Sequence, residues 1–295
     1  MSIDSQKNKL KNIKNKRYLN TVTQGDSLEV LKNIENSSID MVLVDLPYGT
    51  TQNKWDSVIP LEALWHEYNR IVKDNGAMVF TASGLFTAQL MLSNPKYYKY
   101  KYVWTKSKAT NFLNAKKQPL RKHEDILVFY KKQPTYHPQM TEGLAYSKGI
   151  RKNQVTGSYG NFDQTLVKSD GARYPVDVLY FKTAESEGKV LHPTQKPVEL
   201  GKYFIRTFSN PGDVILDNTS GSGSFLVAAL AEGRNFIGIE KNDDVALFKN
   251  QPIDYIQVTK SRVKNLFEKL VTQNNEKLKY IFDINLTSQE KEKND

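Results

Sequence analysis

Asp45-Leu46-Pro47-Tyr48 sets a carboxylate beside a flat aromatic ring, at the end of the apolar run Val42–Val44. An ionised Asp can only accept hydrogen bonds, so Asp45 suits a group that offers N–H. Pro47 stiffens the turn and withholds a donor. Tyr48 presents a ring face for stacking. The combination fits a planar group bearing an exocyclic amine, adenine or cytosine. Taken alone, the same four residues also make a plain turn.

A second constellation lies far downstream. In "VILDNTSGSGSFLVAALAEGRNFIGIE" a strand pattern ends in Asp217, a loop carries Gly221 and Gly223, a helix pattern follows, and a second strand pattern ends in Glu240. Glycines allow a tight turn and close approach of a ligand to backbone. A helix N-terminus offers free N–H groups to an anionic group. An acid at the end of the next strand can hold ribose hydroxyls, and the Asp217–Glu240 spacing is close to the roughly 20 residues usual for that role. The loop is not G-x-G-x-x-G, and it lacks the Lys-Ser/Thr of a phosphate-binding loop. The context therefore indicates a nucleoside-containing cofactor of another kind.

These residues need a scaffold that brings strand ends together. "YLNTVTQGD", "SIDMVLVD", "AMVFTA", "YKYVWTK" and "DILVFYKK" read as strands, with helices predicted over "SLEVLKNIE", over "LEALWHEYNRIVKDNG" up to Gly76, and over "GLFTAQLMLSN". Near-continuous apolar strands suit a sheet buried on both faces. The alternation predicts an α/β fold with a doubly wound, mostly parallel sheet. It breaks after Lys132. Residues 134–190 are rich in Gly, Tyr, Ser and charge, and read as an inserted recognition region. Regularity returns with a helix over Val198–Phe208, the strand–turn–helix–strand of the glycine loop, and a basic helix from about Lys260 to Gln273.

The 295 residues contain no cysteine, which excludes disulfides, thiolate metal sites and a cysteine nucleophile. His66, His123, His137 and His192 have no ligand spacing, so they read as surface or packing residues and no metal site is expected. No apolar run is long enough to span a bilayer, and the start lacks the apolar core of a secretory signal. The expected setting is cytoplasmic. The net charge of +10 is concentrated: Lys96–Lys132 holds eleven Lys/Arg against two acids, Glu124 and Asp125. Tyr97, Tyr98, Tyr100, Tyr102, Trp104, Phe112, Phe129 and Tyr130 interleave with it. Cations for phosphate and rings for bases are what a nucleic-acid surface needs, although a solvated lysine face shares the pattern.

Several motifs resemble one family. "DLPY" is similar to the D-P-P-Y motif of S-adenosylmethionine-dependent amino-methyltransferases, which methylate adenine N6 or cytosine N4 in DNA. "DNTSGSGS" resembles their D-P-F-x-G-x-G cofactor loop, "HPTQKPVEL" their H-P-x-Q-K-P segment, and "GDSLEVL" the block before the catalytic strand. The order, catalytic motif before cofactor loop, resembles the permuted β group, and the likeness runs from about Asn20 to Asn242. It implies a seven-stranded methyltransferase sheet with an inserted target-recognition region. The divisions would be a basic arm (1–17), a catalytic half (18–132), the insertion (133–190), a cofactor half (191–287) and a polar tail (288–295).

The resemblance also assigns roles. Asp45 and the Leu46 carbonyl would accept from the target amine, Pro47 would shape the turn, and Tyr48 would stack on a flipped base. Asp217, Gly221 and Gly223 would surround the methionine part of S-adenosylmethionine, and Glu240 would hold the ribose. Asp26 would lie near the cofactor adenine, and Thr194 and Lys196 would flank the methionine carboxylate. Double-stranded DNA would be the substrate partner, and the β-group likeness leaves room for a homodimer. Leu46 departs from the family's first Pro, but a carbonyl serves from any residue. Asn218 and Thr219 replace Pro and Phe, which removes an aromatic contact. "DLPY" rather than "SPPY" implies adenine N6. Cytosine N4 or RNA methylation, a non-catalytic nucleic-acid-binding protein and a dehydrogenase are the alternatives. The incomplete glycine pattern and the lack of a proton relay disfavour the last.

Overall fold

The computed structural model describes residues 15, 17–50, 56–150, 166–242, 247–249, 251–273 and 276–280. The polar tail, the tract 51–55 and most of the basic arm lie outside the described residues. Two units divide the chain: 1–137 with 177–295, and Pro138–Val176.

The larger unit is built on one sheet. Its strands are β1 (Thr21–Gln24), β2 (Ile39–Val44), β3 (Val72–Ala82), β4 (Tyr98–Thr110), β5 (Arg121–Phe129), β10 (Val178–Phe181), β11 (Val214–Asp217) and β12 (Asn235–Glu240). They run in the order β1-β12-β11-β2-β3-β5-β4-β10. Neighbours are parallel except that β5 is antiparallel to both β3 and β4. The sheet therefore has eight strands among the described residues where seven were expected. Val178–Phe181, read from sequence as part of the insertion, pairs with Val103–Lys106 and adds the edge.

Helices cover both faces, and side-chain alternation shows why. Along β2, Val42 and Val44 share a core with residues of α1 (Ser27–Leu31), α2 (Leu61–Ile71) and α3 (Leu85–Ser93). Met41 and Leu43 point the other way, to α4 (Val198–Phe208), α5 (Ser224–Ala231) and α6 (Tyr255–Thr272). A strand with apolar side chains on both faces has to be sandwiched in this manner.

Three helix boundaries differ from expectation, the first being α1, which stops at Leu31 short of the expected Glu35. α2 stops at Ile71, not at Gly76, because Val72 is already extended and pairs with Ile39. Gly76 lies instead within β3, where a Cβ would come 2.8 Å from the Asp40 carbonyl oxygen. α6 begins at Tyr255, ahead of Lys260, because the Asp254 side chain caps it by accepting from Gln257 N at 3.1 Å.

The smaller unit lies within the expected 133–190 and holds two antiparallel pairs among its described residues. β6 (Thr141–Glu142) pairs with β9 (Ala172–Arg173), and β7 (Tyr146–Ile150) pairs with β8 (Leu166–Ser169).

Candidate active site

The strand order sets the site. β2, β11, β12 and β1 are parallel neighbours, so their carboxyl ends lie along one edge. That edge carries Asp45, Asp217, Glu240 and Asp26 in turn. Ligands bind at this edge in open α/β sheets. Met41 and Val42 stand beside Ile215 and Leu216, which brings two motifs 172 positions apart in the chain to adjacent strand ends. A direct bond joins them: Thr219 Oγ1 donates to the Asp45 carbonyl oxygen at 2.9 Å.

Asp45 sits in a dense set of partners. Its Oδ1 accepts from Tyr48 Oη at 2.9 Å and from Thr81 Oγ1, and its Oδ2 accepts from Lys196 Nζ at 2.6 Å. A carboxylate has about four acceptor sites, so Oδ2 keeps one for a further donor. Lys196 also reaches Glu124 at 3.4 Å, and Glu124 is paired with Lys106. Lys196 and Lys106 are almost buried, and Glu124 is 12% exposed at its side chain. Burial alone would push the Lys196 ammonium towards neutrality, but Asp45 and Glu124 outweigh it and hold its pKa above the usual lysine value. Burial likewise raises Glu124, and Lys196 and Lys106 reverse it, so this carboxyl stays below its usual range.

The Tyr48 ring stacks on Phe86 with centroids 5.1 Å apart and planes at 22°. Burial, reinforced by Asp45 and Glu124, lifts its hydroxyl pKa well above 10, so the hydroxyl remains a donor to Asp45. Leu46 carries more than a carbonyl. Its side chain is 3% exposed and packs in the core under α2 and α3. Beyond Tyr48 the turn is pinned by Asp56, which accepts from Gly49 N at 2.9 Å and Thr50 N at 2.8 Å.

The glycine loop is differently made. Gly221 and Gly223 have φ of +50° and +75°, and a Cβ on Gly223 would meet Thr259 Cγ2 at 2.4 Å. Only glycine suits that position. α6 holds the loop: Thr259 Oγ1 donates to the Gly221 carbonyl at 3.0 Å, and Arg262 Nη1 donates to the Ser222 carbonyl at 2.6 Å. Gly221 N donates to Glu240 Oε2 at 2.6 Å. Asp217 is 2% exposed, and burial, with Glu240 and Asp45 adding to it, raises its pKa well above the usual carboxylate value. Asn218 Nδ2 and Ser220 Oγ are buried without a hydrogen-bond partner among the described residues. An acid held towards neutrality and two unmet polar atoms fit a ligand that brings positive charge and hydrogen bonds.

The remaining predicted residues are spread. Asp26 is exposed and caps α1 by accepting from Leu28 N at 2.9 Å. Thr194 is exposed beside His192, with Thr194 N and Oγ1 both 3.2 Å from His192 Nδ1. Lys196 stands with Asp45 and Glu124, on the Tyr48 side of the edge, rather than free at the glycine loop.

Comparison with known proteins now decides the family. A DNA methylase family model matches residues 39–250. The DNA adenine methyltransferase YhdJ of Escherichia coli (strain K12) is 30% identical over 237 residues, covering 76% of this chain and 79% of that protein. The chain belongs to the N6/N4 DNA methylase family. Two solved structures share the fold. One is the M1.HpyAVI–SAM complex (TM-score 0.56, 23% identity, 82% of this chain and 98% of that one). The other is the cytosine-N4-specific PvuII DNA methyltransferase (TM-score 0.54, 16% identity, 84% and 92%).

Within this DNA methylase, several residues at the edge had no signal in the sequence. Thr81, Phe86 and Glu124 come from β3, α3 and β5, and only the pairing of β2 with β3 and of β3 with β5, with α3 packed against the sheet, brings them to the Asp45 turn. Glu124 and Asp125 read as two acids diluting a basic run. They are the internal anchors of that run, to Lys106 and Lys101. His192 read as a surface or packing residue, and it packs, 4.7 Å from the Tyr255 ring and 3.5 Å from where a Gly221 Cβ would lie. Desolvation lowers its pKa to about 4, so it is neutral at pH 7.

Proposed function

We propose that this DNA methylase transfers a methyl group from S-adenosylmethionine to the N6 amine of an adenine turned out of duplex DNA. The observation that supports the reading is the bonded junction of the Asp45 turn and the glycine loop, where Thr219 Oγ1 donates to the Asp45 carbonyl.

S-adenosylmethionine supplies the electrophilic methyl. Asp217, Gly221 and Gly223 would hold its methionine part, Glu240 its ribose, and Asp26, at the outer end of the edge, its adenine. An exocyclic amine is a weak nucleophile because its lone pair delocalises into the ring. Asp45 Oδ2 and the Leu46 carbonyl accept from the two amine hydrogens and so favour a pyramidal nitrogen with a localised lone pair. Lys196 and Thr81 fix the carboxylate that does this, and fixed acceptors cost no reorganisation during reaction. The Tyr48 ring, stacked on Phe86 and 5.5 Å from Lys196 Nζ, would supply the aromatic contact to the target base. Extruding the base costs a few kcal/mol, which DNA contacts must offset. The smaller unit, Pro138–Val176, is the proposed target-recognition region.

Cytosine N4 presents the same amine to the same acceptors, and the fold shared with a cytosine-N4 enzyme keeps it as the second reading. Incubation with labelled S-adenosylmethionine and unmethylated DNA, followed by nucleoside analysis, separates the two. N6-methyladenine is the expected product. N4-methylcytosine moves the assignment to the second reading, and label in neither nucleoside refutes both.

A further inference from the structure

The hairpin between β4 and β5 leaves the sheet beside the catalytic turn. Glu124, bonded into the Asp45–Lys196 set, lies on β5 opposite Trp104, and the strands run on past it to the Thr110–Arg121 pair. Arg121 is three residues beyond Glu124, roughly 10 Å along the strand, about three base-pair steps of DNA. At the tip Phe112 is 75% and Leu113 84% exposed.

The tip is a formed structure. Asn111 takes a left-handed conformation with φ +70°, Phe112–Asn114 makes a 3-10 turn, and Asn114 Nδ2 donates to Asn111 Oδ1 at 2.7 Å. Lys117 N and Gln118 N both donate to the Asn114 carbonyl, at 2.8 and 3.0 Å. Two large apolar side chains are thus held out in water on a rigid mount. The surrounding charge is of one sign. From Ser107 to His123 there are five cations, Lys108, Lys116, Lys117, Arg121 and Lys122, and no acid. Lys101 and Lys106, further down the hairpin, are spent on Asp125 and Glu124. An apolar point ringed by cations matches a polyanion with an apolar interior, which is a stack of bases behind phosphates.

We infer that the Phe112–Leu113 tip is a wedge that enters the DNA beside the extruded base, while the flanking cations hold the phosphates. The inference rests on the proposed DNA methylation. Turning a base out leaves unstacked neighbours, and an apolar side chain in the gap offsets that loss. The wedge therefore acts on the extrusion step, whereas the lysines act on binding.

The test is single-turnover transfer from labelled S-adenosylmethionine to saturating unmethylated plasmid DNA, with DNA affinity measured at two salt concentrations. Phe112→Ala/Leu113→Ala should slow transfer at least about tenfold with DNA Kd changed by less than about threefold. Lys116→Ala/Lys117→Ala should weaken binding and reduce the salt slope by about 2, one per lost phosphate contact. A wedge variant that transfers at the wild-type rate overturns the inference, as does one whose defect disappears at saturating DNA. If wild-type protein binds S-adenosylmethionine but labels no DNA, the functional reading itself fails, and that outcome is distinct from the other two.

Discussion

The Asp45 turn and the glycine loop meet through the Thr219–Asp45 hydrogen bond, yet they treat polar groups in opposite ways. Around Asp45 the charges answer one another: Lys196 bridges Asp45 and Glu124, Lys106 completes Glu124, and Thr81 and Tyr48 fill Oδ1. At the glycine loop, Asp217 is buried beside Glu240, and Asn218 Nδ2 and Ser220 Oγ have no partner among the described residues. The turn is preorganised by Tyr48 and by side chains from neighbouring elements, Thr81 and Lys196. The loop has the features of a receptor that a ligand completes. An enzyme that must polarise an amine needs a rigid acceptor, and one that must bind and release a cofactor needs groups left unspent.

The contrast can be broken first at Lys196. Lys196→Met leaves Asp45 without its cation and Glu124 with Lys106 alone, and removing one partner of a buried pair costs roughly 3–5 kcal/mol. Urea unfolding should show a loss at the low end of that range, since Asp45 keeps 20% side-chain exposure, and Glu124→Gln in the same chain should restore part of it. An unchanged midpoint means the set is not mutually supporting. Next is the loop. Gly223→Ala forces a Cβ against Thr259 at a positive φ, so calorimetric affinity for S-adenosylmethionine should fall at least about tenfold, equivalent to about 1.4 kcal/mol. Wild-type affinity in that variant would show that the loop is not the cofactor cradle.

A pH-dependent effect belongs to His192, beside the loop. Its pKa is about 4 folded against 6.5 for a free histidine, so between those values the unfolded chain binds more protons than the folded one. This contribution is complete above pH 6.5 and is lost as pH falls towards 4. His192→Asn should therefore flatten the decline in unfolding free energy over pH 6.5 to 4. An unaltered slope places the titration elsewhere.

The doubly wound sheet was legible because β2, β11 and β12 are short apolar runs with no polar face, and such strands have one stable environment. Asp45, Asp217 and Glu240 were legible because each ends such a strand. The eighth strand was not, since Val178–Phe181 alternates exposed and half-buried positions in a stretch without regular neighbours. Helix α2 was read too long because "VKDNG" continues a helical pattern, while pairing of Val72 with Ile39 takes precedence. Leu46 looked interchangeable because its proposed chemistry is that of a backbone carbonyl; its burial shows a side chain that also anchors the turn. Lys196 and Glu124 are 72 positions apart, and no local pattern could announce an ion pair made by tertiary packing.

The division of labour along the edge is tested most directly by measuring transfer and cofactor affinity together in Asp45→Ala. If Asp45 only polarises the target amine, transfer of label to DNA should fall at least about a hundredfold, while calorimetric Kd for S-adenosylmethionine stays within about threefold of wild type. Retention of most transfer activity, or loss of cofactor binding in step with it, would contradict the account.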